Sequence, residues 1–180
     1  MKHIRSQRLA LTLALILAFA AICPAGFAAE TPVEELNFMD AVSEYTRLDL
    51  RPYRGKAVFL NFFTEWCPYC MIEMPDIKTI FDTYSSDDLQ IVLVHVWDGE
   101  DATHSESIRK RFGLEDMTFF EDEDKALTYG LQLQGYPASI FLDQNGDVFS
   151  YQPGMLTLEQ MTDIVDRLGV GKAGSGDVVP

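Results

Sequence analysis

Two thiols three positions apart, in Trp66-Cys67-Pro68-Tyr69-Cys70, carry the most legible chemistry in this 180-residue chain. They follow directly on the apolar run Ala57 to Phe63, which reads as a buried strand, and they open a segment with helical spacing. A Cys-x-x-Cys between a strand and a helix is the layout of a dithiol redox site. The reactive form of cysteine is the thiolate, and the first turn of a helix offers it unpaired N–H groups and the positive end of the macrodipole. Cys67 is therefore the expected nucleophile. Cys70 falls one turn on, on the same helix face, where it can attack a mixed disulfide formed at Cys67. Pro68 fits this position, because its missing N–H would be unpaired there in any case and its fixed φ is already helical.

A static disulfide or half of a zinc site are the other readings of such a pair. Zinc would need a second Cys/His pair. The chain has three cysteines, the third being Cys23, and its histidines are the scattered His3, His95 and His104. The reading is thus a reversible Cys67–Cys70 disulfide, with no bound metal and no cofactor.

The N-terminal stretch is not part of the domain that holds this pair. Lys2, Arg5 and Arg8 precede an almost unbroken apolar run from Leu9 to Ile22, and Gly26-Phe27-Ala28 places small residues where a signal peptidase cuts. Residues 1–28 read as a secretory leader, with retention as an N-terminal membrane anchor as the alternative, and Cys23 as a leader residue lost on processing. Export places the protein in a periplasmic or other extracytoplasmic compartment, free or tethered to the inner membrane. The leader holds three basic residues and no acidic one, so its removal leaves 11 basic against 28 acidic residues, a formal charge of −17. That charge argues against nucleic acid and anionic membrane surfaces as partners, so membrane association rests on a retained leader. A single cysteine pair in an exported domain is a tool and not a disulfide framework.

The domain is expected over residues 29–168, with a flexible Gly-rich tail at 169–180. Glu30 to Lys56 reads as a short helix or irregular lead-in followed by an extended segment. The helix opened by Cys67 is expected to reach about Tyr84, with Ile72, Ile77, Ile80 and Phe81 inward and a kink at Pro75. A second buried strand spans Gln90 to Trp97, and the long crossover between the two strands implies a parallel pair. His95 and Trp97 share a strand face with Ile91 and Leu93, which reads as packing. Beyond an acidic loop at 98–105 come a short helix to Phe112, a brief strand Met117 to Phe120, and a helix Asp124 to Tyr129. Ala138 to Leu142 and Val148 to Tyr151 flank the turn signal Asn145-Gly146. Thr157 opens an amphipathic helix with Leu158, Met161, Ile164, Val165 and Leu168 inward.

From about Phe38 to Leu168 the chain resembles the TlpA/ResA/CcmG group of exported thiol-disulfide oxidoreductases. The resemblance rests on Gly55-Lys56-Ala57-Val58-Phe59-Leu60-Asn61-Phe62-Phe63 leading into the cysteines, on Glu73 and Pro75, on Gly135-Tyr136-Pro137, and on Phe141-Leu142-Asp143. It implies an α/β thioredoxin fold, a central mixed sheet flanked by helices, here with an N-terminal extension. It also implies a cis Tyr136–Pro137 peptide beside the cysteines, where the Tyr136 backbone pairs with an extended substrate. Trp66, Pro68 and Tyr69 would line the same substrate site, Trp66 as a packing lid over the cysteines.

Ordinary thioredoxins carry a buried acid six positions before the first cysteine, and this chain has Asn61 there. In the ResA-like group a glutamate three after the second cysteine takes over that acid's work, and Glu73 occupies that position, with a solvent-facing helix residue as the plainer reading. A buried carboxylate there would oppose a second anion and accept the Cys70 proton. Pro68-Tyr69 between the cysteines departs from the group, as do Tyr136 and Ala138 around the proline, and the departures bear on reduction potential. The resemblance thus points to a reductant of protein disulfides outside the cytoplasm, serving apocytochrome c maturation with electrons from a membrane thiol reductase. A periplasmic disulfide donor is the same-chemistry alternative. A Cu(I)-binding assembly factor using Cys67, Cys70 and His95 or His104 is an alternative of another class.

Overall fold

A computed structural model describes residues 36–97 and 105–173. The leader and His104 lie outside the described residues. The first helix, α1 (Phe38–Tyr45), is capped by the Asn37 side chain, which accepts from the Asp40 N–H. A 3₁₀ turn follows at Arg51–Tyr53, within the Arg51-Pro52-Tyr53-Arg54-Gly55 stretch whose composition reads as a turn, and Pro52 fixes a turn-compatible φ there. Then come β1 (Ala57–Phe63), α2 (Pro68–Thr83), β2 (Leu89–Val96), α3 (Glu106–Phe112), β3 (Thr118–Asp122), α4 (Ala126–Gly130), β4 (Ala138–Leu142), β5 (Val148–Pro153) and α5 (Leu158–Arg167).

The five strands form one mixed sheet in the order β3-β2-β1-β4-β5. β1 runs parallel to β2 and β2 to β3, while β4 is antiparallel to both β1 and β5. β1 is central and buried along its whole length, which its near-continuous apolar run requires. Alternation along it assigns the two faces. Ala57, Phe59 and Phe63 join a core with Ile77 and Ile80 of α2 and Met161 and Val165 of α5. Val58, Leu60 and Phe62 join a second core with Met39 and Val42 of α1 and Leu127 of α4. The strand period of two then puts Asn61 on the α2 face, among apolar neighbours. That single polar side chain is where the site begins.

Two sequence expectations change here. On α2, Cys70, Glu73, Met74, Ile77 and Ile80 point inward, and Ile72, expected in the core, is 60% exposed. The helix runs through Pro75, which has no N–H to give the Met71 carbonyl. Gly169 to Ala173, expected within the flexible tail, is tied down. Ser85 N–H donates to the Gly171 carbonyl at 2.8 Å, Ala173 N–H donates to the Thr83 carbonyl at 2.9 Å, and Val170 is buried. No helix among the described residues is long and apolar enough to cross a membrane.

Candidate active site

The loop from the C-terminal end of the central strand β1 brings Cys67 to the start of α2, and Cys70 follows within the helix's first turn. Cys67 is the N-cap of α2, with extended backbone and Pro68 at the first helical position. Its Sγ accepts the Cys70 backbone N–H at 3.2 Å, so a helix-start donor is aimed at the sulfur. The same donor, together with the positive end of a 16-residue helix, favours negative charge on that atom in the reduced protein. Cys67 and Cys70 are disulfide-bonded here, with Cα atoms 5.3 Å apart. Cys67 is 3% exposed and Cys70 fully buried. Accessibility therefore separates the two only narrowly, and the helix terminus carries the distinction.

Beneath the thiols lies a buried polar cluster. Glu73, one turn beyond Cys70 on the inward face of α2, is fully buried. Its Oε1 accepts the Asn61 Nδ2–H at 2.6 Å and its Oε2 accepts the Leu156 backbone N–H at 3.0 Å. Asn61 Nδ2 also donates to Ser139 Oγ of β4 at 3.1 Å, the residue directly opposite it in the strand register. Burial pushes the Glu73 carboxyl up from 4.5 to about 7, against the opposing pull of the Leu156 and Asn61 donors, with Asp76 adding to the rise. The plainer reading of Glu73 as a solvent-facing helix residue is thus replaced. A buried acid that titrates near neutrality, one turn from a redox thiol, can take and return a proton under working conditions.

The flanking residues divide between core and surface. Tyr136–Pro137 is cis and leads straight into β4, and the Gly154 N–H donates to the Pro137 carbonyl at 2.9 Å. Trp66, next to Cys67 in the chain, is 62% exposed with its ring edge-on to Tyr136 at 6.4 Å. Pro68 and Tyr69 are exposed as well.

His95 sits apart from the thiols in its own cluster. Its ring stacks on Phe63 at 5.1 Å, its Nδ1 pairs with Glu121 Oε2 at 2.6 Å, and the Ser105 hydroxyl donates to Glu121 Oε1. The hydrogen bonds from His95 and Ser105 outweigh the effect of burial and hold Glu121 down at about 2. This agrees with the packing role its strand position implied. Among the described residues, no group of three or more His, Cys, Asp or Glu side chains could hold a metal ion.

Sequence reasoning noticed Asn61 only as a missing acid, and it missed Ser139 and Leu156. The alternation along β1 could have aimed Asn61 at α2, but the Asn61–Ser139 pairing needs the strand register, and a backbone N–H leaves no trace in side-chain chemistry.

The Redoxin family profile matches residues 28–165. The chain belongs to the Redoxin family. Within that family it is 32% identical over 120 residues to the thiol-disulfide oxidoreductase ResA of Geobacillus thermodenitrificans, which covers 66% of this chain and 67% of the relative. It is 29% identical over 140 residues to ResA of Bacillus thuringiensis, covering 75% and 76% respectively. Among solved structures, a thiol:disulfide interchange protein of the thioredoxin family from Chlorobium tepidum superposes with a TM-score of 0.59 at 22% identity, covering 67% of this chain and 85% of that one, a likeness of fold. This Redoxin domain is a TlpA/ResA/CcmG-like thiol-disulfide oxidoreductase with a thioredoxin fold.

Proposed function

We propose that this oxidoreductase acts outside the cytoplasm as a reductant of protein disulfides, apocytochrome c among them, and is recharged by a membrane thiol reductase. In this reading the Cys67 thiolate attacks a substrate disulfide, forming a mixed disulfide and expelling one substrate thiolate. Cys70 then loses its proton to Glu73 and attacks Cys67 Sγ. The second substrate thiolate leaves, the substrate has gained two electrons, and Cys67–Cys70 is oxidised. Trp66, Pro68, Tyr69 and the Tyr136–Pro137 backbone form the rim on which the polypeptide docks. The leader sequence supports export, and the acidic composition supports a freely soluble or singly tethered domain.

The observation that carries the direction of electron flow is the Glu73 carboxyl, fully buried one turn from Cys70. Whatever stabilises the Cys67 thiolate stabilises the reduced form and makes the couple more oxidising, and a nearby carboxylate works the other way. One pKa unit on a thiol corresponds to about 1.4 kcal/mol, or roughly 30 mV for a two-electron couple. The expected potential lies nearer to about −270 mV, in the thioredoxin range, than to about −120 mV, that of a strong disulfide donor. Equilibration with a glutathione buffer measures it. Glu73→Gln should raise the potential and flatten the pH dependence of Cys70. A wild-type value near the strong-oxidant end would make the protein a disulfide donor instead.

A further inference from the structure

Both carboxylate oxygens of Glu73 face donors, the Asn61 amide on one side and the Leu156 N–H on the other. That arrangement suits the anion. A neutral carboxyl must donate its own proton, and on either oxygen that proton would here meet another donor. Yet burial leaves the neutral acid well populated at neutral pH. The neutral form therefore needs an acceptor that the anion does not use.

Asn61 holds one. Its Oδ1 is buried and has no hydrogen-bond partner among the described residues, while its Nδ2 serves both Glu73 and Ser139. Half a turn of the amide about its terminal torsion exchanges Oδ1 and Nδ2 in nearly the same volume. Ser139 tolerates the exchange, since its hydroxyl accepts from Nδ2 in one orientation and donates to Oδ1 in the other. One end of the amide is unpartnered either way, so the state of the acid decides the orientation.

We propose that Asn61 is a two-orientation positioning residue, donating Nδ2–H to the Glu73 carboxylate and turning over to accept, on Oδ1, the proton of the neutral Glu73 carboxyl. This rests on the reading of Glu73 as acceptor of the Cys70 proton. The amide holds the anion ready while Cys70 is a thiol, and it satisfies the acid once the proton has crossed. The groups that act on Glu73 are Asn61 from β1, the Leu156 N–H ahead of α5 and the charge of Asp76 from α2, with Ser139 of β4 reaching it only through Asn61 and Cys70 one turn away on its own helix. Asp76 Oδ2 itself accepts the Leu158 N–H at 3.2 Å.

The test is a side-chain NMR titration of the oxidised full-length protein, where Cys67 and Cys70 are tied in the disulfide and do not titrate. The Glu73 carboxyl carbon reports the proton, and the cross-peak between the Asn61 amide protons and Ser139 Hβ reports the orientation. The expected result is a common midpoint near pH 7, with the cross-peak strong above it and lost below. Glu73→Gln mimics the neutral acid, since its amide donates where the carboxyl proton would, and should hold Asn61 turned over at every pH. Titration of Glu73 with an unchanging cross-peak overturns the proposal alone, as does a Glu73→Gln protein that keeps the strong peak. A Glu73 carbon that does not titrate between about pH 5 and 9 overturns it together with the proton-acceptor reading.

Discussion

Glu73 binds its proton more tightly in the folded protein, at about 7, than at its ordinary value of 4.5. Between those values the native state holds more protons than the unfolded chain, so stability is greatest below the lower one and falls as pH rises through the upper one. The full span corresponds to about 3 kcal/mol. Urea unfolding of the oxidised protein at about pH 5 and about pH 8 should show this loss, and Glu73→Gln should remove it. A difference between the two proteins that does not vary with pH would count against the buried acid. At the thiols, alkylation of the reduced protein at neutral pH should label Cys67 before Cys70, because a helix-start N–H is aimed at Cys67 Sγ. Cys70→Ala should accumulate mixed disulfides through Cys67, since the resolving thiol is gone. Preferential labelling of Cys70 would reverse the assignment.

Each element of the site carries its residue for a reason that can be weighed. Leu156, whose N–H holds Glu73 Oε2, stands just before the capping box of α5, in which Thr157 Oγ1 accepts the Gln160 N–H and Gln160 Oε1 accepts the Thr157 N–H. Thr157→Ala should cost about 1 kcal/mol of stability. If the box also anchors the Leu156 N–H, the variant should raise the Glu73 midpoint, which the NMR titration reads; an unmoved midpoint would confine the box to α5. The strand bounds of β1 and β4 were legible because each is a short apolar run between turn signals, and Thr157 was legible as a helix start. The phase of α2 was not. Apolar content favours Ile72 as the buried residue, while the fold buries Glu73 and leaves Ile72 in solvent. Local preference fails there because tertiary donors, the Asn61 amide and the Leu156 N–H, hold the Glu73 carboxyl inward. The segment at 169–173 was misread for another reason: its glycines signal disorder, but pairing with Thr83 and Ser85 depends on where α2 ends in space.

At the scale of the whole molecule, charge governs encounter more than fold. The chain carries a formal net charge of −14, and acidic residues outnumber basic ones two to one. Such a field attracts positively charged polypeptides from a distance and repels acidic ones, before any contact with the aromatic rim at Trp66 and Tyr69. The attraction reaches about 30 Å at 0.01 M salt and about 8 Å at 0.15 M. Reduction of a disulfide peptide with lysines flanking its cysteines should therefore be faster than that of a glutamate-flanked counterpart at low salt. The advantage should shrink as salt rises, because steering acts on association while the thiol chemistry inside the buried site is unscreened. Stopped-flow kinetics at several ionic strengths would separate the two. A ratio of rates that is independent of salt would place substrate discrimination in the contacts at the rim and not in the field of the domain.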